Sequence, residues 1–173
     1  MKQTIIYLFA LIISASCTSV REARTEAASQ RSIREEQTRI AIDKAVASGN
    51  FQVRMERLDG FRGQTIHLAH GVNYLVIDRG ILRLKLGYIG RQYTFRPISA
   101  INMTARPSEY EMSRNPRTGN YEIEIKVSQA GEPFNIYLNI NQRGICTTHI
   151  SNPKIQTVRY TGRITIPENL ANR

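Results

Sequence analysis

Apolar and polar residues alternate along the chain from Phe51 onward, in short runs that are typical of β-strands with one buried face. The first run places Phe51, Val53 and Met55 on one side, with polar residues between them. The same period of two recurs at four further apolar sets: Leu82, Leu84 and Leu86; Tyr121, Ile123, Ile125 and Val127; Phe134, Ile136, Leu138 and Ile140; and Ile164 and Ile166, after which Pro167 ends the pattern. A nearly continuous apolar run at residues 72–77 predicts one more strand.

Turn-forming residues separate these runs at residues 78–80, 115–120, 130–133 and 141–144, where Gly, Pro, Asn and Asp are concentrated. About eight to ten short strands, with turns roughly every 8–12 residues, predict an all-β domain over residues 50–168. Because consecutive strands are joined without an intervening helix, we expect an antiparallel β-barrel closed on itself. An open β-sandwich is the alternative, since sequential strands satisfy both architectures.

Before the strands, apolar residues recur with the period of 3.6 that is typical of a helix, which predicts one short N-terminal helix over residues 32–49. Its apolar stripe is narrow, so we expect only its second half to dock on the β domain; docking on a partner helix is the alternative. The sequence features of this helix are Ser32 and Glu35 as a capping box, Ile42, Ala45 and Val46 as the apolar stripe, and Gly49 just past its end.

Residues 17–31 are expected to form a disordered tether, because Ser, Thr, Ala, Arg, Glu and Gln dominate there and little apolar surface is available for burial. Residues 1–16 have the features of a bacterial lipoprotein signal peptide. Lys2 supplies the positive charge, residues 4–13 are almost wholly apolar, and small residues lead up to Cys17. The apolar run is far shorter than the ~20 residues of a membrane-spanning helix.

We therefore expect cleavage before Cys17 and lipidation of its thiol, so that the mature chain is held at a membrane by this anchor. An ordinary secretory signal cut near Ala15 is the alternative. No acidic residue follows directly after Cys17 and no acidic cluster follows soon after, which favours an outer-membrane lipoprotein facing the periplasm over display on the cell surface. A lipidated Cys17 leaves Cys146 single, and we expect Cys146 to be a small buried hydrophobic residue rather than a reactive thiol.

The chain carries a net charge of +10, most of which belongs to the β domain. Residues 51–173 contain 17 Lys and Arg against nine Asp and Glu, whereas residues 18–50 contain six against five. A basic domain suits nucleic acid, an anionic membrane surface or an acidic polymer. The export signal argues against nucleic acid, which leaves a solvated basic face near an anionic bilayer or an acidic envelope partner.

Spaced glycine and aromatic positions give the chain a resemblance to a known family. They are Gly49-Asn50-Phe51, Arg57-Leu58, Gly63-Gln64-Thr65-Ile66-His67-Leu68, Asn73-Tyr74-Leu75-Val76-Ile77-Asp78, Gly87-Tyr88-Ile89-Gly90-Arg91-Gln92-Tyr93, Gly119-Asn120-Tyr121-Glu122-Ile123 and Tyr160-Thr161-Gly162. From about residue 41 to residue 167 the chain thereby resembles domain-of-unknown-function family 4251, found in lipoproteins of Bacteroides-type bacteria, although Gly87 stands where Pro is common. The resemblance implies a lipocalin-like antiparallel β-barrel and a place in the cell envelope, but no activity, cofactor or catalytic residue.

Tyr88, Arg91 and Tyr93 form the most suggestive candidate ligand-binding segment. Two aromatic rings and a guanidinium group flank Gly90, where the backbone can turn. At a barrel mouth they would supply stacking faces and a charged clamp for a small ligand. The alternative is a strand-to-strand corner whose tyrosines pack on the core while Arg91 extends into water.

No metal site is expected. His67 and His70, three positions apart on a strand, would point to opposite faces, and the sequence nominates no third ligand. No cofactor is expected either, because no glycine-rich phosphate loop occurs.

Three functions remain as hypotheses. The first is a non-enzymatic module that binds a small apolar or lipid ligand. The second is a structural or inhibitory module that acts through its basic surface on an anionic envelope partner. The third, an enzyme, lacks sequence support. Glu122 and Glu124, like Glu109 and Glu111, lie opposite apolar sets and predict the solvated face of a hairpin, and no nucleophile elbow occurs.

Overall fold

The computed structural model describes residues 2–60, 63–93 and 99–165, with side chains described at residue 24 and from residue 26 onward. The side chains of the predicted signal peptide and of the predicted lipid site Cys17 lie outside the described residues, as do Ile166 and Pro167. The chain divides into two units, residues 1–38 and residues 39–173.

One helix, α1, spans Lys2–Ala47. Its beginning differs from the prediction, since the helix includes residues 17–31, which were expected to be a disordered tether. Ala, Arg, Glu and Gln favour the helix intrinsically, so this segment is helical without an apolar face. Ser32 consequently lies inside the helix rather than at its cap, and its hydroxyl donates to the carbonyl of Ser29 at 2.8 Å.

The end of α1 agrees with the prediction. Gly49 has a φ of 65°, and its N–H donates to the carbonyl of Val46 at 2.9 Å. Within the second unit, Ile42, Ala45 and Val46 are buried, which confirms the predicted apolar stripe.

An ion-pair network holds the last turns of α1 beside the sheet. Asp43 accepts a hydrogen bond from the hydroxyl of Tyr121 at 3.1 Å and lies 3.6 Å from Arg114 and 3.4 Å from Arg39. The docked end of the helix is therefore fixed by polar contacts as well as by burial.

The remainder of the second unit is all-β, as predicted. Its strands are β1 (Phe51–Asp59), β2 (Thr65–His67), β3 (Tyr74–Asp78), β4 (Ile81–Gly87), β5 (Ala100–Ala105), β6 (Glu109–Arg114), β7 (Tyr121–Gln129), β8 (Glu132–Ile140), β9 (Ile145–Asn152) and β10 (Ile155–Thr165).

These strands form one antiparallel sheet that curls into a half-barrel. The order is β5-β4-β3-β1-β10-β9-β8-β7-β6, and β2 pairs with the second half of β1. Among the described strands, β5 and β6 lack a partner on their outer edges, so the ladder is not the closed ring that the hairpin pattern suggested. Near these ends, a side chain links the two parts of the sheet: the amide of Gln129 donates to the carbonyl of Asn102 at 3.0 Å.

The inner face of the curled sheet holds the core. Alternate residues of each long strand are buried, as in β4, where Leu82, Leu84 and Leu86 are covered and Arg83 and Lys85 are exposed. The alternate residues that point outward are mostly polar, and most charged side chains of the sheet lie on this outer face.

Candidate functional site

The predicted ligand-binding segment forms a corner between β4 and β10. The ring of Tyr88 is buried at 3% exposure, and its hydroxyl donates to the carbonyl of Arg91 at 2.7 Å. A Cβ atom on Gly90 would lie 2.6 Å from the Tyr88 hydroxyl oxygen, so the close packing of this corner requires glycine. Burial also raises the pKa of Tyr88.

Backbone hydrogen bonds fasten the rest of the corner to β10. The carbonyl of Arg91 accepts from the N–H of Gln156 at 2.9 Å, and the N–H of Tyr93 donates to the carbonyl of Lys154 at 2.8 Å. The side chain of Tyr93 is 63% exposed. Tyr88, Arg91 and Tyr93 thus share a corner. The ring of Tyr88 packs in the core, whereas the ring of Tyr93 faces solvent. This arrangement resembles the strand-to-strand corner more than a clamp around a ligand.

The other candidates from the sequence are dispersed. His67 lies on β2, whereas His70 lies in the turn before β3 with its Nε2 3.3 Å from Nη1 of Arg54. Among the residues described, no three His, Cys, Asp or Glu side chains come together as a metal-binding group. Cys146 is buried and unpaired, as predicted, and burial raises its pKa to about 12.

The acidic pairs behave as the solvated face of a hairpin. Glu109, Glu111 and Glu124 are exposed, and Lys126 lies 2.7 Å from Glu109. Arg114, at the end of β6, pairs with Asp43.

A feature that the sequence did not locate lies on the outer face of β1 and β10. Arg54 and Arg57 of β1 and Arg159 and Arg163 of β10 form a group that we call the arginine surface. The register explains it, because Arg54 lies directly opposite Arg163 and Asp59 lies opposite Arg159. Strand pairing thereby collects four guanidinium groups from two distant parts of the chain.

Two carboxylates compensate these four cations only partly. Asp59 lies 3.3 Å from Nε of Arg57 and 2.8 Å from Nε of Arg159. Glu56 lies 3.3 Å from Nη2 of Arg54 and 3.8 Å from Nε of Arg163. The arginine surface therefore keeps an excess of two positive charges.

A depression of about 260 Å³ opens in this surface. Its lining residues are Glu56, Arg57, His67, Ile145, Thr161, Gly162 and Arg163. Arg57 donates to the hydroxyl of Thr161 at 3.4 Å, which orients its guanidinium group at the rim. The side chains of Arg57 and Arg163 remain 45% and 57% exposed, so an incoming anion can reach both.

The arrangement can bind an anion. A guanidinium group presents several N–H donors in one plane, which match two oxygens of a carboxylate or phosphate, and it stays charged at any ordinary pH. The sequence showed the charge excess of the domain but did not single out Arg159, Thr161 and Arg163. Only the pairing of β10 with β1 shows that they meet Arg57.

A second depression of about 260 Å³ lies on the outer face of β7, β8 and β9, beside Tyr137 and His149. Their ring centres are 6.3 Å apart. Burial, and secondarily the charge of Arg159, lower the pKa of His149. Its lining mixes one cation, one carboxylate and neutral groups, so it has no evident charge preference.

The predicted membrane anchor is a covalent lipid rather than a spanning segment. Within the part of the chain that the structure describes, no helix combines the length and apolar character needed to cross a bilayer.

Comparisons with known proteins bear on family and fold. The family model described as Domain of unknown function (DUF4251) matches residues 33–164. Among solved structures, the crystal structure of a DUF4251 family protein from Bacteroides eggerthii DSM 20697 is similar, with a TM-score of 0.59 and 16% identity over 79% of this chain and 94% of that chain. No curated protein matches the chain significantly. At this identity the structural similarity concerns the fold alone.

Proposed function

The chain belongs to the DUF4251 family, a domain family of unknown function, and we propose that it is a lipid-anchored envelope protein whose arginine surface binds the phosphate groups of anionic lipid headgroups. The observation that carries the proposal is the excess of two positive charges on the arginine surface, in which the depression between Arg57 and Arg163 lies. It is a binding function, since the groups concerned donate hydrogen bonds and hold charge without exchanging protons.

Phosphate is the anion that this geometry favours. Arg57 and Arg163 lie on neighbouring strands at one rim, and Thr161 between them adds a hydroxyl. Bidentate guanidinium–phosphate contacts are stronger than contacts of neutral donors. The oxygens of a phosphate are arranged tetrahedrally and can engage both guanidinium groups.

The anchor supports the same partner. Lipidation of Cys17 would hold the β domain beside a surface of phosphate headgroups, so even a weak contact would be frequent. The placement in the outer membrane, facing the periplasm, is part of the proposal and follows from the residues around Cys17.

The first hypothesis from the sequence, an apolar ligand inside the barrel, stays a prediction. The described inner positions are filled by large side chains such as Phe51, Leu86 and Tyr160. Both depressions discussed above open on the outer face of the sheet and are lined mainly by polar side chains, which is why the surface-acting function is preferred.

Vesicle binding tests the proposed function. The chain carrying Cys17→Ala, which cannot be lipidated, is sedimented with phosphatidylcholine vesicles that contain or lack phosphatidylglycerol. We expect binding only to the anionic vesicles, and weaker binding as salt is raised, because exposed charges are screened within about 10 Å at 0.1 M salt.

A matched pair of double variants localises the contact. Arg57→Ala with Arg163→Ala should weaken binding about thirtyfold, at roughly 1 kcal/mol for each basic residue near the membrane surface. Arg117→Ala with Arg143→Ala removes the same charge from two exposed turns and should have a much smaller effect. If both double variants lost the same affinity, binding would depend on net charge alone and not on the arginine surface. Binding to neutral vesicles would contradict the proposal.

The anchor is tested by mass spectrometry of the chain purified from membranes of its native host. We expect residues 17–173 with a diacylglycerol-modified Cys17, and no lipid on a Cys17→Ala variant. A chain cut near Ala15 without lipid would overturn this part of the proposal.

A further inference from the structure

The strand β6 forms an edge of the sheet that no described strand covers. It pairs with β7 on one side and ends the strand order on the other. All six of its residues are exposed. At the opposite end of the sheet, the side-chain amide of Gln129 donates a hydrogen bond to the carbonyl of Asn102 on β5. No described group forms such a hydrogen bond to the outer edge of β6.

The hydrogen-bond pattern identifies which backbone groups of β6 are free. The N–H of Asn115 donates to the carbonyl of Asn120 at 2.8 Å, and these residues continue the β6–β7 register. Bonded pairs alternate with non-bonded pairs in an antiparallel ladder. Odd-numbered residues of β6 therefore bond to β7, and Tyr110, Met112 and Arg114 direct their N–H and C=O groups toward the open edge.

The side chains at this edge extend the apolar core to solvent. Tyr110 lies opposite the buried Ile125, and Met112 lies opposite the buried Ile123. Tyr110 and Met112 are nevertheless 37% and 40% exposed. An inward-pointing charge, a proline or a bulge usually protects an exposed edge. On this face of β6 the charge is Arg114 at the end of the strand, which is paired with Asp43, whereas Tyr110 and Met112 have no such protection.

We propose that β6 pairs antiparallel with β6 of a second copy of this chain, about a two-fold axis that passes through Met112. The free groups of Tyr110, Met112 and Arg114 then bond to the same groups of the partner copy. The two sheets then form one continuous sheet, in which the inner faces of both copies lie on the same side.

The sequence of β6 selects this register over its neighbours. When the axis lies at Met112, Met112 of one copy faces Met112 of the other. Tyr110 then faces Arg114, and Glu111 faces Ser113. The guanidinium group of Arg114 already contacts Asp43 and the Tyr121 ring of its own chain, so Tyr110 of the second copy would pack against the aliphatic part of the Arg114 side chain. Centring on Glu111 would oppose two like charges. Centring on Ser113 would leave Tyr110 without a partner.

The dimer is expected to be weak and dependent on concentration. Two six-residue strands bury less than the ~1,200 Å² at which stable interfaces begin. Confinement of both copies to one membrane would raise their effective concentration. The association does not involve the arginine surface, so it can fail or hold independently of headgroup binding.

Cysteine scanning tests the register. The full chain carrying Cys17→Ala receives Glu111→Cys, Met112→Cys or Ser113→Cys, and each variant is oxidised in solution. Opposed residues in a bonded pair have Cα atoms about 5.5 Å apart, within disulfide reach. We expect Met112→Cys to form a disulfide-linked dimer several-fold faster than the other two. Equal rates in the three variants, or a faster rate for Glu111→Cys or Ser113→Cys, would overturn the register.

Sedimentation equilibrium tests the association itself. Met112→Pro removes an N–H that faces the open edge, where proline is tolerated, so the monomer should fold normally by circular dichroism. We expect the parent chain to dimerise with rising concentration and the Met112→Pro chain to remain monomeric. Met112→Lys gives a second variant, which keeps the N–H and introduces a charge at the centre of the interface. A monomeric parent chain at all concentrations, or a dimer unaffected by both variants, would overturn the proposal.

Discussion

The hydroxyl of Tyr160 donates a hydrogen bond to the carbonyl of Gly87 at 2.9 Å, which ties β10 to the end of β4. These strands are not neighbours, because β3 and β1 lie between them in the sheet. The bond therefore crosses the inside of the half-barrel, where the ring of Tyr160 is fully buried. Burial raises the pKa of Tyr160, and the nearby Tyr88 raises it further, so this hydroxyl remains a donor.

Tyr160→Phe should lower the free energy of unfolding by about 1 kcal/mol, since it removes the bond and leaves the Gly87 carbonyl without this donor. Urea unfolding measures the change. Tyr93→Phe is the control, because Tyr93 is largely exposed, and its effect should stay within about 0.5 kcal/mol. Equal effects of both substitutions would show that the crossing bond contributes nothing.

Gly162→Ala should destabilise the pairing of β1 with β10. A Cβ atom at Gly162 would lie 2.1 Å from the carbonyl oxygen of Arg54, beside the register shift in β1. Because backbone has to move, we expect a loss of about 3 kcal/mol in urea unfolding. At Gly60 the nearest atom would be 3.6 Å away, so Gly60→Ala should be much milder. A tolerated Gly162→Ala would mean that the strands can separate at this point.

Cys146 should resist alkylation in the folded chain. Burial raises its pKa to about 12, so almost no thiolate is present near neutral pH and the sulfur is shielded. Iodoacetamide labelling followed by mass spectrometry should show modification only after denaturant is added. Rapid labelling of the native chain carrying Cys17→Ala would contradict the burial.

His149 should make the chain less stable as the pH falls. Its pKa is lowered first by burial and then by Arg159, so the unfolded state binds more protons between this lowered pKa and the ordinary value of about 6.5. The free energy of unfolding should therefore decrease as pH falls from about 7 through about 6.5. His149→Gln should flatten this dependence in urea unfolding. Parallel pH profiles for the two chains would exclude the effect.

The sequence predicted elements whose apolar residues have a clear period. The sets at Leu82–Leu86 in β4 and at Phe134–Ile140 in β8 alternate strictly and are strands in the structure. β2 has three residues, and a run of that length carries no detectable period. The helical character of residues 17–31 was missed because this segment has no apolar face. Its helix depends on the intrinsic helix preference of its residues.

The arginine surface could not be located from the sequence because it depends on a long-range register. Arg57 and Thr161 are 104 positions apart, and no local pattern states that β10 lies beside β1. The candidate segment at Tyr88 had two interpretations for a similar reason. Only the contact of its ring with Gly90, and the bonds to Gln156, decide that it is a packed corner.

The central position of β10 has a consequence for how this chain is made. The first and last strands of the sheet along the chain are neighbours, and Asp59 meets Arg159 from 100 positions away. Contacts at such separation form late, after a large loss of chain entropy. While the chain is still being synthesised, one edge of β1 has no partner, so the half-barrel cannot be completed before the C-terminal strand has left the ribosome. In the exported protein that we propose, this delay would keep the β domain unfolded until β10 has been synthesised.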